Sequence, residues 1–198
     1  MIFLLLSISV TQASFYSLII PGSGDILLGN KNRGKNFLIA EAGIWSGYLL
    51  YEWQGRQTEN SYIEFAYLRG SANPNNRDEN YLDAMERYMT GEEYNEYVKE
   101  MARSLYPDTT DPGILAQRKE FIKENSIDDN SLWHWKSDKD FQRYIELRKR
   151  QRAYLNTAIN IASLAVINRI ASFVATSIFS RNVSVEVRRN GVNLTWRF

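Results

Sequence analysis

Residues 153–180 read AYLNTAINIASLAVINRIASFVATSIFS, an apolar run that carries one charge, Arg169. A helix needs about twenty apolar residues to cross a bilayer, and this run is long enough. A second apolar segment, FLIAEAGIWSGYLLYEW, covers 37–53. Polar, aromatic-rich, helix-forming sequence lies between the two. The layout predicts a mainly α protein with membrane-associated helices, a soluble helical insert and a short C-terminal β-hairpin. The divisions expected are a signal peptide at 1–13, a glycine-punctuated membrane element at 14–53 and the insert at 54–152. A membrane helix at 153–180 and the hairpin at 181–198 complete the chain.

An arginine in the middle of a span costs at least a few kcal/mol unless it pairs or snorkels. Glu41, inside the other apolar segment, is the expected intramembrane partner of Arg169. Around Glu41, the small residues Ala40, Gly43 and Gly47 recur at helical spacing, which favours close helix packing. Trp45, Tyr48, Tyr51 and Trp53 suit a membrane interface.

Residues 1–20, MIFLLLSISVTQASFYSLII, are uncharged. Ile2–Val10 fits the apolar core of a secretory signal, with Thr11-Gln12-Ala13 as its cleavage site. An uncleaved anchor is the competing reading. Pro21-Gly22-Ser23-Gly24-Asp25 follows, then Gly29 and Gly34. Proline ends helices and glycine permits positive φ, so 15–28 reads as two short apolar pieces around a break. Such a piece is too short to span and suits a re-entrant or interfacial element. Lys31, Arg33 and Lys35 then form a cluster suited to headgroups. The glycine string lacks the Gly-Lys-Ser/Thr ending of a phosphate-binding loop, so nucleotide binding is set aside.

In the insert, Arg77–Met89 reads as a helix with Tyr81, Leu82, Met85, Tyr88 and Met89 on one face. Thr90 and Glu93 form a capping box for a second helix, expected to bury Tyr94, Tyr97, Val98, Met101 and Leu105. Asp111-Pro112 starts a third, with Ile114, Leu115, Phe121 and Ile122 on its apolar face. Ser137 starts a last helix that runs through Arg148-Lys149-Arg150-Gln151-Arg152 into the apolar run. At the C-terminus, Val183, Val185 and Val187 alternate with polar residues up to Asn190-Gly191, the preferred two-residue hairpin turn. Val192, Leu194 and Trp196 alternate after it.

Composition excludes several classes. The 198-residue chain has a net charge of +1, so no bulk attraction to nucleic acid arises. Its mean hydropathy of -0.41 is too polar for a many-spanning transporter. It has no cysteine, which removes disulfides, thiolate metal sites and cysteine nucleophiles. Its one histidine, His134, lies between Trp133 and Trp135 and reads as part of a packed or interfacial aromatic cluster. Asp128-Asp129 reads as a polar turn rather than a cation site. No catalytic residue, metal ligand or cofactor-binding residue is expected, and no cofactor.

Taken together, Pro21-Gly22-Ser23-Gly24, Gly29 and Gly34-Lys35 resemble the PGxGQxxxGxxxKG opening of a family of uncharacterised envelope proteins from Gram-negative bacteria. Trp133-x-Trp135-x-Ser137, Tyr144-x-x-Leu147-Arg148 and Asn168-Arg169-Ile170-Ala171-Ser172 carry the resemblance further. Asp25 stands where the family has glutamine, and Arg169 and Ala175 stand where histidine and an acid are common. The family is a domain of unknown function. The resemblance implies an envelope location and an architecture, and no chemistry. The function expected is therefore a non-enzymatic structural or interaction protein of the bacterial cell envelope. Its expected partners are membrane lipid and either an envelope protein or a second copy of the chain, with no nucleic acid. The rival is a small membrane transport or channel subunit with Glu41 and Arg169 along a polar path. Lys31, Arg33 and Lys35 point to an extracytoplasmic insert, whereas the 148–152 cluster points the other way; a cleaved signal agrees with the first, so the insert is expected to be extracytoplasmic.

Overall fold

A computed structural model describes residues 9–107 and 110–178, and the backbone alone of 179, 183–188 and 191–196. The protein is mainly helical. Its α-helices are α1 (Val10–Ile19), α2 (Ser23–Leu27), α3 (Lys31–Gly70), α4 (Glu79–Ala84), α5 (Gly91–Leu105), α6 (Pro112–Asn125) and α7 (Asp138–Phe179). They form two compact units, one from residues up to Trp53 together with those from Tyr154 onward, the other from Gln54–Ala153. The C-terminal hairpin is not shown, since its turn residues and its side chains lie outside the described residues. Residues 2–8 of the expected signal core Ile2–Val10 lie outside them too.

In the first unit, α1 opens on a capping box in which Ser9 and Gln12 satisfy each other's backbone N–H groups. This helix runs through the expected cleavage position after Ala13. The chain breaks at Pro21-Gly22, and Gly22 takes a left-handed φ of 83° that a side chain rarely adopts. After α2, α3 begins at Lys31 and continues as one helix of 40 residues. It therefore does not stop where the apolar segment stops, at Trp53. α7 is likewise one helix of 42 residues, and the polar and apolar stretches expected to join do so. Among the described residues, α7 is the one helix long and apolar enough to cross a membrane.

The second unit has a core of large rings and aliphatics. Tyr62, Tyr81, Leu82, Met85, Trp133, Trp135 and Tyr144 are all buried. Trp135 is centred among Phe65, Phe141 and Tyr144, with ring centroids 6.3, 6.4 and 4.9 Å away. The helix expected over 77–89 is only α4, from Glu79 to Ala84. The carbonyls that would have extended it are used elsewhere. Trp135 Nε1 donates to Met85 O, Trp133 Nε1 to Tyr88 O and the Trp135 amide to Met89 O. The buried indoles thus end α4 by competing for its backbone.

The expected apolar face of α6 has Ile114, Phe121 and Ile122 half-buried. Two other expectations about faces need correction. Tyr97 and Leu105 of α5 are exposed, and Gly91, Val98 and Ala102 are the buried residues of that helix. His134 is exposed and does not pack with its tryptophan neighbours. Its backbone bridges to Thr90, and extended backbone sends alternate side chains to opposite faces. Trp133 and Trp135 therefore point inward and His134 outward.

Candidate functional site

The glycine motif gathers a buried polar cluster in the first unit. Pro21, Gly22, Gly24, Asp25 and Gly34 are buried, and Gly29 is exposed with a φ of 91°. The glycines allow backbones to touch. A Cβ on Gly24 would sit 2.0 Å from Ala13 O, and one on Gly22 would sit 2.1 Å from Gly34 O. Only hydrogen fits at either point.

This close approach brings polar groups of α1, α2, α3 and α7 together. Gly22 N donates to Ser172 Oγ at 2.7 Å, and Gly24 N donates to Ser17 Oγ at 3.1 Å. Ser17 and Thr176 share a hydroxyl contact of 3.0 Å. Asp25 is fully buried. Its Oδ1 accepts from Arg33 Nη2 at 2.5 Å and from Thr176 Oγ1 at 3.2 Å. Its Oδ2 is buried without a hydrogen-bond partner. A buried carboxylate is tolerable only when charge and hydrogen bonds compensate it, and Arg33 supplies the charge.

A second polar group lies farther along the same helices. Arg169 Nη2 donates to Glu41 Oε1 at 2.7 Å, and Asn168 Nδ2 donates to Glu41 Oε2 at 2.9 Å. Trp45 Nε1 also donates to Glu41 Oε1, at 3.0 Å. Both carboxylate oxygens are thereby engaged. Because α3 starts at Lys31, Glu41 lies about 15 Å along it. That setback puts Glu41 level with Arg169 on the antiparallel α7.

Sequence reading singled out Glu41, Arg169 and the glycines, and the structure brings Glu41 to Arg169 and Gly22, Gly24 and Gly34 into close backbone contact, while Gly29 stays in open space. It missed Ser17, Arg33, Ser172 and Thr176 as partners. One signal was available. Asn168, Ser172 and Thr176 recur every four residues in the apolar run, which puts three polar side chains on one helix face.

The second unit has its own buried charge. Arg148, expected in a basic cluster beside the membrane, is 1% exposed. Its guanidinium donates to Glu79 and Glu86, contacts Asp83 and stacks over the Tyr62 ring at 5.4 Å. Arg152 donates to both oxygens of Glu86, at 2.8 and 3.0 Å. Burial acts to lower the Arg148 pKa, but the Tyr62 hydrogen bond and neighbouring Tyr144, Tyr62 and Glu79 outweigh it. The guanidinium stays charged. Burial likewise drives the Tyr144 phenol well above its ordinary range.

These groups hold backbone and helices together. Among the described residues no group of three or more histidines and acids is placed to hold a metal ion. Compared with protein-family models, curated proteins and solved structures, the chain matches none.

Proposed function

We propose that this chain is a non-enzymatic, membrane-bound structural or interaction protein of a bacterial cell envelope. In this reading the first unit sits in the bilayer and the unit 54–153 meets a partner. The observation that carries it is the sidedness of the first unit. Its outer surface holds large apolar side chains, among them Ile19, Ile39, Leu49, Ile159, Ile167, Ile170 and Ile178. Its interior holds Ala13, Ser14, Ser17, Asp25, Ala158, Ala165, Ser172 and Thr176. In water such a surface is a severe liability. In lipid it costs nothing, and small residues with interhelical hydrogen bonds are what hold helices together there.

Dimensions support the reading. From Lys31 to Trp53 α3 rises about 34 Å, close to the ~30 Å hydrocarbon core. Lys31 and Lys35 are exposed at one end of this stretch. Trp45, Tyr48, Tyr51 and Tyr154 gather toward the other, with Tyr51 and Tyr154 rings 6.2 Å apart. The pair Glu41–Arg169 falls between these levels as an intramembrane ion pair. Arg148 and Arg152 are engaged by acids, which weakens the pull of the 148–152 cluster toward the cytoplasm and leaves only its exposed Lys149 and Arg150 to oppose Lys31 and Lys35. That favours an extracytoplasmic insert. A C-terminal hairpin belongs to this reading, supported by an antiparallel backbone register that sets Val183 opposite Trp196 and Arg188 opposite Gly191.

The test is alkaline carbonate extraction and vesicle flotation of the full-length protein, with protease access to the insert in intact cells. The expected result is retention in the membrane fraction with the insert cleaved from outside. Recovery as a detergent-free soluble monomer overturns the reading. Ion flux in liposomes that depends on Glu41 would replace it with a transport function.

A further inference from the structure

The insert holds a cavity of about 510 Å³ between α4, α5 and the end of α6. One wall is a row of tyrosines. The rings of Tyr94 and Tyr97 both pack against Tyr88, at 5.4 and 5.6 Å between centroids. The lining also carries planar polar groups, Asn76, Asn80, Asn125, Glu124 and Arg87. Ala84 and Ile127 are the aliphatic residues of its lining.

We propose that this cavity is a binding site for a neutral saccharide. A pyranose ring has an apolar C–H face that lies on an aromatic ring and a rim of hydroxyls that both donate and accept. Tyrosines in a row supply the first surface at low entropy cost, and amides, carboxylate and guanidinium supply paired donors and acceptors for the second. The cavity is within the size range of small-ligand sites. Asn76, Asn125, Asp78 and Asp83 of the lining are engaged within the protein, but its phenols are unspent. The Tyr88, Tyr94 and Tyr97 hydroxyls make no hydrogen bond to the described residues. Burial raises the pKa of Tyr88 and Tyr94, so both phenols stay protonated and able to donate. Ser126 Oγ, in the lining, is buried without a partner.

The walls are fixed before any ligand arrives. Asp78 caps α4 by accepting from the Asn80 and Tyr81 amides. Asn95 pins Ile127 through both its amide atoms, at 2.8 and 2.9 Å. Preorganised walls lower the entropy cost of binding. Charge narrows the ligand class. Asp78, Asp83 and Glu124 outnumber Arg87, which disfavours phosphates and acidic glycans. A proline-rich peptide would need a mainly apolar aromatic groove, and this lining is mainly polar.

The proposal rests on reading the insert as the partner-binding part of the protein. Its test uses the full chain in lipid nanodiscs, because detergents with sugar headgroups would compete. Maltose, cellobiose, mannobiose and N,N′-diacetylchitobiose are titrated and followed by saturation-transfer NMR and tyrosine fluorescence. At least one disaccharide is expected to bind, and Tyr97→Ala and Asn80→Ala are each expected to weaken it about tenfold. Tyr97 is 43% exposed, so its loss leaves the core intact, and a thermal melt checks this. The proposal is overturned if no disaccharide binds at millimolar concentration, if binding is indifferent to both substitutions, or if a proline-rich peptide binds there instead. Flotation of the same preparation reads membrane attachment separately, so failure here and failure of the membrane reading are distinct results.

Discussion

The two units of this chain are built on opposite rules. Gln54–Ala153 buries Trp133, Trp135, Tyr62 and Tyr144 and, Arg148 apart, turns its charges outward, on the pattern of a core formed in water. The other unit buries glycine, alanine, serine, threonine and Asp25, and turns isoleucine, leucine and phenylalanine outward. The lesson concerns driving force. In water the removal of apolar area dominates, at about 25 cal/mol per Å², so large side chains go inside. In lipid that term vanishes between helices, and close backbone approach with satisfied polar groups takes its place. Both units bury an ion-paired arginine or acid, but in different settings. Arg148 sits under aromatic rings among three acids, whereas Asp25 sits among hydroxyls at a glycine contact.

The largest expected effect is on the aromatic core. Trp135→Ala should cost about 4 kcal/mol, through a cavity and the lost bond to Met85 O. Trp53→Ala, at a residue 58% exposed, should barely change the melt of the insert. Urea unfolding followed by near-ultraviolet circular dichroism compares them. Equal losses would erase the distinction between the units.

Next comes the outer surface of the first unit. Ile170 is 53% exposed, so on water-facing rules Ile170→Arg would be nearly neutral. In a bilayer it should oppose insertion by about 3 kcal/mol. Leu115→Arg, in the insert, should not. The fraction of each variant that floats with vesicles reads the difference directly.

Charge reversal sharpens the contrast inside the first unit. Glu41→Arg sets two cations together and should destabilise the unit by about 3 kcal/mol in a detergent melt. Adding Arg169→Glu should recover most of that loss. A double variant no better than the single ones would mean that the 2.7 Å contact contributes nothing.

Gly24→Ala probes backbone contact alone. Its Cβ meets Ala13 O, which cannot swing aside, and the cost should be about 2 kcal/mol in the melting of the first unit. The smallest effect has the opposite sign. Gly43 has open space around its Cβ position, so Gly43→Ala should stabilise α3 by up to about 1 kcal/mol. If both glycine variants behaved alike, the motif would have no packing role.

Much of the local structure was legible. Ser9–Gln12, Asp78, Thr90, Asp111 and Ser137 all start helices where their side chains can cap. Of these, Thr90, Asp111 and Ser137 were readable directly from their spacing to Glu93, Pro112 and Asp140. The Pro21-Gly22 break was readable for the same local reason. The length of α4 was not, because it depends on tryptophans 45–50 residues away in the chain. The side His134 faces was not, because it depends on a bridge to Thr90. Arg148 looked like one more member of a basic run, and nothing local distinguishes it from Lys149 or Arg150.

By itself, then, the sequence determined a mainly helical chain, its caps and breaks, and the apolar run of α7, since all of these follow from neighbours within a turn or two. Only the tertiary structure decided which glycines touch backbone, that Asp25 meets Arg33 and Thr176, and that Arg148 is buried while its neighbours are not. Those outcomes depend on groups far apart in the chain, and on whether apolar side chains gain more by facing one another or by facing outward.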